Sequence, residues 1–241
     1  MKRLTRILLK NAHRLPGLYA GLCRYAKHPD RYSEQEMYDY ISSILSHVIS
    51  SGNVDLQVTG LENLPQEGGM LLYGNHQGMF DVVALAHTCP RPLGAVFKIE
   101  LANVPLLKQI IACTKSFAMD RDDVRQSLTV IQNVTEEVKK GRAYVIFPEG
   151  TRSKTGNQMK PFHAGSFRAA IKGKVPVVTM AFIDCFKVLD QPGCDPLTVQ
   201  VHYLKPISPE EYAGMTAADL AELVQSRIED CMKENIPSSE K

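Results

Sequence analysis

Met70-Leu71-Leu72-Tyr73-Gly74-Asn75-His76-Gln77-Gly78-Met79-Phe80-Asp81-Val82-Val83-Ala84-Leu85-Ala86-His87 holds the reading of the fold. Its first five residues are almost wholly apolar, as in a strand covered on both faces. A short polar stretch follows, and then an apolar segment opened by an acidic residue, as helices often are. Strand, loop and helix in that order make one unit of an α/β protein. The same pattern recurs outward from it. Probable strands are Val54–Val58, Gly94–Lys98, Ser116–Met119, Ala143–Phe147, Val175–Ile183 and Thr198–Leu204, rich in Val, Ile, Phe and Tyr. Probable helices are Met79–His87, Pro105–Ala112, Asp122–Lys139, Ala164–Lys172 and Ala217–Lys233, with Gly141 and Gly173 as stop signals after two of them. This alternation predicts an α/β fold, with one mostly parallel mixed sheet flanked by helices.

The bulk numbers agree. The 241 residues are 44% hydrophobic and 22% charged, ordinary for a globular chain with a substantial core. The formal net charge of +2 hides an asymmetry. Residues 1–31 carry Lys2, Arg3, Arg6, Lys10, Arg14, Arg24, Lys27 and Arg31 against Asp30 alone, a net +7 that leaves −5 for the rest. A basic arm on a mildly acidic body points to an anionic partner. Six cysteines lie scattered without a C-x-x-C pair, poor material for zinc, and read as reduced thiols in a cytosolic setting. Ile7-Leu8-Leu9 is too short for a signal-peptide core, and there is no run of about 20 apolar residues to span a bilayer.

The first fifty residues read as helical. Leu4, Ile7, Leu8 and Leu15 recur near helical spacing, Pro16-Gly17 breaks the pattern, and His28-Pro29-Asp30 breaks it again. Ser33 with Glu36 looks like a capping box for a helix that stops before Gly52. Two regions are therefore expected: an amphipathic helical segment over 1–52, suited to membrane association, and an α/β domain over 53–241.

Two stretches carry the chemistry. In the first, His76 precedes Asp81 by five residues. If His76 lies in the loop and Asp81 in the first turn of the helix, the carboxylate can fold back onto one ring nitrogen. That fixes the tautomer and leaves the other nitrogen to take a proton. The result is a base and its orienting acid without a nucleophile, which a substrate hydroxyl would complete. With seven histidines and 12 aspartates the spacing arises by chance in roughly a third of such chains, so alone it is not diagnostic. The plain alternative is a loop histidine beside a first-turn aspartate. In the second stretch, Phe147-Pro148-Glu149-Gly150-Thr151-Arg152-Ser153 ends a strand with a carboxylate, a glycine, a hydroxyl and an arginine. Arg152 can grip a phosphate with two prongs. The alternative is a surface loop in which Glu149 and Arg152 pair with each other. Lys98 and Arg121 each stand near a strand end, where they could share a rim with His76 and Glu149.

Taken together and in order, these segments resemble the glycerolipid acyltransferase family, specifically its bacterial lysophosphatidate acyltransferases. Asn75, His76 and Asp81 match N-H-x4-D. Lys98, Glu100, Leu101, Pro105 and Arg121 match the second block, Phe147–Ser153 matches F-P-E-G-T-R-S without change, and Val175-Pro176 opens the fourth. The resemblance covers roughly residues 54–205. It implies that His76, oriented by Asp81, is the base for the free hydroxyl of lysophosphatidate, which attacks an acyl thioester. It implies that Lys98, Arg121, Glu149, Gly150, Thr151 and Arg152 make the substrate-binding set, with Glu149 organising the site. No metal and no cofactor is implied. The donor is acyl-CoA or acyl carrier protein, and the carrier protein is then a partner. Other partners implied are lysophosphatidate and an anionic membrane surface at the cytoplasmic face of the cell membrane, with peripheral or monotopic attachment; no nucleic acid is expected. There are departures: Gly78 stands where many relatives carry serine, Thr179 where a second proline is frequent, and Lys108 and Lys115 where glycines are common. These leave the acceptor and the chain length open, and the competing readings are another lysophospholipid or a lyso-amino-acid lipid as acceptor, an inactive lipid-binding membrane module, and a hydrolase, against which there is no G-x-S-x-G elbow.

Overall fold

The computed structural model describes residues 2–236. The chain begins with three helices: α1 (Arg3–Asn11), α2 (Leu15–Lys27) and α3 (Glu34–Gly52). There follow β1 (Val54–Thr59), β2 (Met70–Gly74), α4 (Phe80–Thr88), β3 (Leu93–Lys98), α5 (Leu107–Cys113), β4 (Phe117–Met119) and α6 (Val124–Lys139). The remainder is β5 (Ala143–Ile146), α7 (Arg168–Gly173), β6 (Val177–Ile183), α8 (Phe186–Leu189), β7 (Leu197–Tyr203) and α9 (Ala217–Asn235).

The seven strands form one sheet in the order β1-β7-β6-β2-β5-β3-β4. Five of them, from β6 to β4, run parallel. β7 pairs antiparallel with β6 and parallel with β1, so these two run the other way. β2, at the centre, is buried along its whole length. Its side chains alternate between faces as the pleat requires. Leu71 and Tyr73 pack with Val134, Phe167 and Val224 under α6, α7 and α9, whereas Met70 and Leu72 pack with Phe80, Leu85, Tyr38 and Ile49 under α4 and α3. Each such side chain contributes about 2 kcal/mol of burial. A smaller cluster, with Leu22, Met37, Ile41 and Cys113, joins α2, α3 and α5.

Three sequence expectations are corrected. Pro16 and Gly17 lie inside the first turn of α2, where a missing N–H costs nothing, and the break falls between Asn11 and Leu15. α3 runs through Gly52 and is closed by Asn53 in the left-handed region (φ 58°). α7 includes Gly173, and Lys174 (φ 52°) takes the left-handed position instead. The basic arm also divides. Arg3 is 5% exposed, and its guanidinium donates to the carbonyls of Gly52 (2.6 Å) and Asp195 (3.0 Å). The Arg6 side chain donates to Ser51 O (3.1 Å). Both hold α1 against the negative end of α3. Leu4, Leu8, Leu9, Leu15 and Tyr19 stay exposed. Among the described residues, no helix is long and apolar enough to cross a membrane.

Candidate active site

The centre begins where β2 runs out. The Asn75 amide donates to Phe182 O (2.9 Å) and accepts from Phe182 N–H (2.8 Å), continuing with a side chain the pairing that β2 makes with β6. The chain then turns, and α4 starts at Phe80, five residues after Asn75. Asp81, in its first turn, folds back over the loop. Its Oδ2 accepts from His76 Nδ1 (2.7 Å) and from the backbone N–H groups of Gln77 (2.6 Å) and Gly78 (3.0 Å). Asp81 is fully buried, and its Oδ1 has no partner among the described residues. Burial pushes this carboxyl above the usual range; the His76 contact and the two backbone donors pull it back. The carboxylate partner places a proton on Nδ1, which leaves Nε2 to accept one. The His76 ring stacks on Phe147, centroids 4.3 Å apart, so its plane is fixed from a second side.

β5 lies beside β2 in the sheet, so the loop after it meets the first loop directly. Glu149 Oε1 accepts from His76 N–H (2.7 Å), and Oε2 accepts from Lys160 N–H (3.1 Å). Ser153 N–H donates to His76 O (2.8 Å). Both backbone groups of His76 are therefore held by the second loop. Glu149 is 2% exposed, and burial pushes its carboxyl up against the pull of those two donors. The resemblance set Glu149 in the substrate-binding group as the residue that organises the site. In the structure it is a buried strut between the loops, each oxygen accepting from a backbone N–H. It does not pair with Arg152. Gly150 makes the turn at φ +69°, a region that disfavours side chains, with the His163 ring close against it. Thr151 is exposed beside it.

A third bracket was not visible in the sequence. Gln77 donates to Asn157 Oδ1 (2.7 Å) and accepts from Cys185 N–H (3.0 Å), while Asn157 donates to Asp184 Oδ1 (2.9 Å). These contacts link residues 27 to 108 positions apart, and no local pattern marks them.

The cations are placed differently. The parallel order β2-β5-β3-β4 puts the ends that lead to His76, Glu149, Lys98 and Arg121 along one rim. Neighbouring strands are about 4.8 Å apart, so Arg121 belongs to the far part of that rim, three strands from His76. Lys98 pairs with Glu100, whose carboxyl is pulled down first by Lys98 and further by Arg121. The Arg152 Nη1 donates to Asp190 Oδ1 (3.0 Å), with both side chains about a third exposed. The structure thus bonds Asp81 and Glu149 each directly to His76, one through its ring and the other through its backbone N–H. Arg152 stands next to them through Ser153, and Lys98 and Arg121 form a separate group around Glu100.

Comparison with known proteins adds an independent line. A family model described as Acyltransferase matches residues 55–183. The chain is 31% identical over 189 residues to the 1-acyl-sn-glycerol-3-phosphate acyltransferase of Saccharomyces cerevisiae, covering 75% of this chain and 61% of that protein. It is 29% identical over 172 residues to the enzyme of that name from Salmonella typhimurium, covering 69% of this chain and 70% of that one. The match thus spans about three fifths of the yeast protein's length. The fold superposes on the crystal structure of the 1-acyl-sn-glycerophosphate (LPA) acyltransferase from Thermotoga maritima with a TM-score of 0.73, at 19% identity, over 96% of this chain and 97% of that one.

Proposed function

This chain belongs to the acyltransferase family, and on that footing we propose that it transfers an acyl chain from an acyl thioester to the sn-2 hydroxyl of 1-acyl-glycerol-3-phosphate, forming phosphatidate. The observation that carries the reading is the His76 Nδ1 to Asp81 Oδ2 hydrogen bond of 2.7 Å, which leaves Nε2 to accept a proton. The names of the yeast and Salmonella relatives support the acceptor.

In this mechanism the acceptor hydroxyl lies against His76 Nε2. As its oxygen attacks the thioester carbonyl, the proton passes to Nε2 and Asp81 stabilises the imidazolium. The tetrahedral intermediate collapses, the C–S bond breaks, and the leaving thiolate takes the proton from Nε2. The ester and the free thiol are the products, and no acyl-enzyme forms because the nucleophile belongs to the lipid. Arg152 grips the acceptor's phosphate, with Lys98 and Arg121 adding positive potential along the rim. The donor is acyl-CoA or acyl carrier protein, acting as co-substrate without a further cofactor. The exposed leucines of α1 and the start of α2 lie in the outer lipid of the cytoplasmic leaflet, with Lys2 and Lys10 beside anionic headgroups.

The test is product analysis. Purified protein, given lysophosphatidate and either donor, should yield phosphatidate by mass spectrometry and should sediment with anionic vesicles. Acylation of another lysophospholipid, with lysophosphatidate left untouched, would overturn the acceptor.

A further inference from the structure

The Arg152 guanidinium has Asp190 as its hydrogen-bond partner among the described residues, through one contact of 3.0 Å. Asp190 directly follows α8, and its N–H donates to Phe186 O (3.1 Å), so the end of that short helix sets its position. Its second oxygen, Oδ2, reaches in the other direction, over the loop that carries the base. A Cβ added to Gly78 would lie 2.5 Å from Asp190 Oδ2 and 3.1 Å from Phe186 Cα. Gly78 is not in the left-handed region, so conformation does not demand glycine there; the space does. The N–H of the same Gly78 donates to Asp81. The Asp190 carboxylate therefore stands between Arg152 and the His76–Gly78 loop.

That is the place where an acceptor held by its phosphate on Arg152, with its hydroxyl on His76, must pass. We propose that Asp190 is a specificity-determining residue: it occupies Arg152 as a stand-in anion, and a phosphorylated acceptor binds by displacing it. The inference rests on the reading of Arg152 as the phosphate-holding group. A single-contact ion pair with both partners about a third exposed exchanges readily. The displaced carboxylate remains close by, however, and repels an incoming phosphate with up to two negative charges. Asp190 thus lowers affinity for phosphomonoester acceptors relative to acceptors without that charge. Gly78 is its structural counterpart, leaving the room that the carboxylate fills.

The experiment uses sn-glycerol 3-phosphate as a soluble headgroup, titrated by calorimetry into the full-length protein. Asp190→Asn should bind it about tenfold more tightly at low salt, and the gain should fade as ionic strength rises and screening sets in. Gly78→Ala, which pushes the carboxylate off Arg152 while keeping it in the chain, should give the same direction of change. The double variant Gly78→Ala/Asp190→Asn should bind no more tightly than Asp190→Asn alone. Arg152→Ala/Asp190→Asn should lose the gain. In turnover, Asp190→Asn should lower the KM for lysophosphatidate and leave the KM for 1-acylglycerol unchanged. Unchanged or weaker glycerol 3-phosphate binding in a folded Asp190→Asn protein overturns the proposal, whatever the activity. Tighter binding without any phosphatidate production would uphold it and remove the proposed acceptor reaction instead.

Discussion

His76 and Arg152 stand on neighbouring loops of one sheet rim, and their surroundings are opposite. The His76 side chain is 16% exposed; its Nδ1, its N–H and its C=O are all bonded, and its ring is stacked. The Arg152 side chain is 35% exposed and has one exchangeable partner. The contrast suits the two tasks proposed for them. A base transfers a proton only from a fixed tautomer at a fixed distance, so its geometry is set before the substrate arrives. A cation that receives a phosphate has to exchange one anion for another, so it is left at the edge with a replaceable carboxylate.

The most severe way to break the contrast is to remove the fixed group. His76→Ala should lower kcat by about 10³-fold or more while circular dichroism and thermal melting stay near wild type. Asp81→Asn should follow it, since an amide N–H facing Nδ1 moves the ring proton to Nε2, the wrong tautomer. Residual activity within tenfold of wild type in His76→Ala would mean that the rigid loop is not the seat of proton transfer.

Arg152→Ala probes the exchangeable side. Losing a charge-assisted contact to phosphate should raise the KM for lysophosphatidate by about 30-fold, with kcat reduced far less. A pattern in which kcat collapses and KM holds would place Arg152 with the rigid group and erase the distinction.

The same contrast explains what the sequence made legible. His76 and Asp81 are five residues apart, so a local pattern could suggest that they meet. The central strand was readable because Met70–Gly74 is buried on both faces and therefore wholly apolar. The supports of the site lie far away in the chain: Asn157, Asp184, Cys185 and Asp190 reach it from β6, α8 and the loop after Ser153. Nothing in their own neighbourhoods marks them. α8, with four residues, is too short to show a helical period. The division of the basic arm was hidden for a related reason. Charge count cannot tell a lysine facing solvent from Arg3, which caps the end of a helix 49 residues on.

Glu149 offers the finest test, because it belongs to the rigid side yet carries a charge. Its two oxygens accept from two backbone donors, His76 N–H and Lys160 N–H. A glutamine keeps one acceptor and turns an NH2 toward the other donor. Glu149→Gln should therefore cost about 1–2 kcal/mol of stability. The pH dependence carries a sign. Burial raises the folded-state pKa of Glu149 above its ordinary 4.5. The folded state then keeps this proton longer than the unfolded chain, so the group's contribution is full below the unfolded value and is lost as pH rises through the folded one. The stability difference between wild type and Glu149→Gln, from urea unfolding at stepped pH, should narrow as pH climbs from about 4.5 and then level off. A difference that widens over that range would mean that the two backbone donors outweigh burial, and that Glu149 holds the loop as a settled carboxylate.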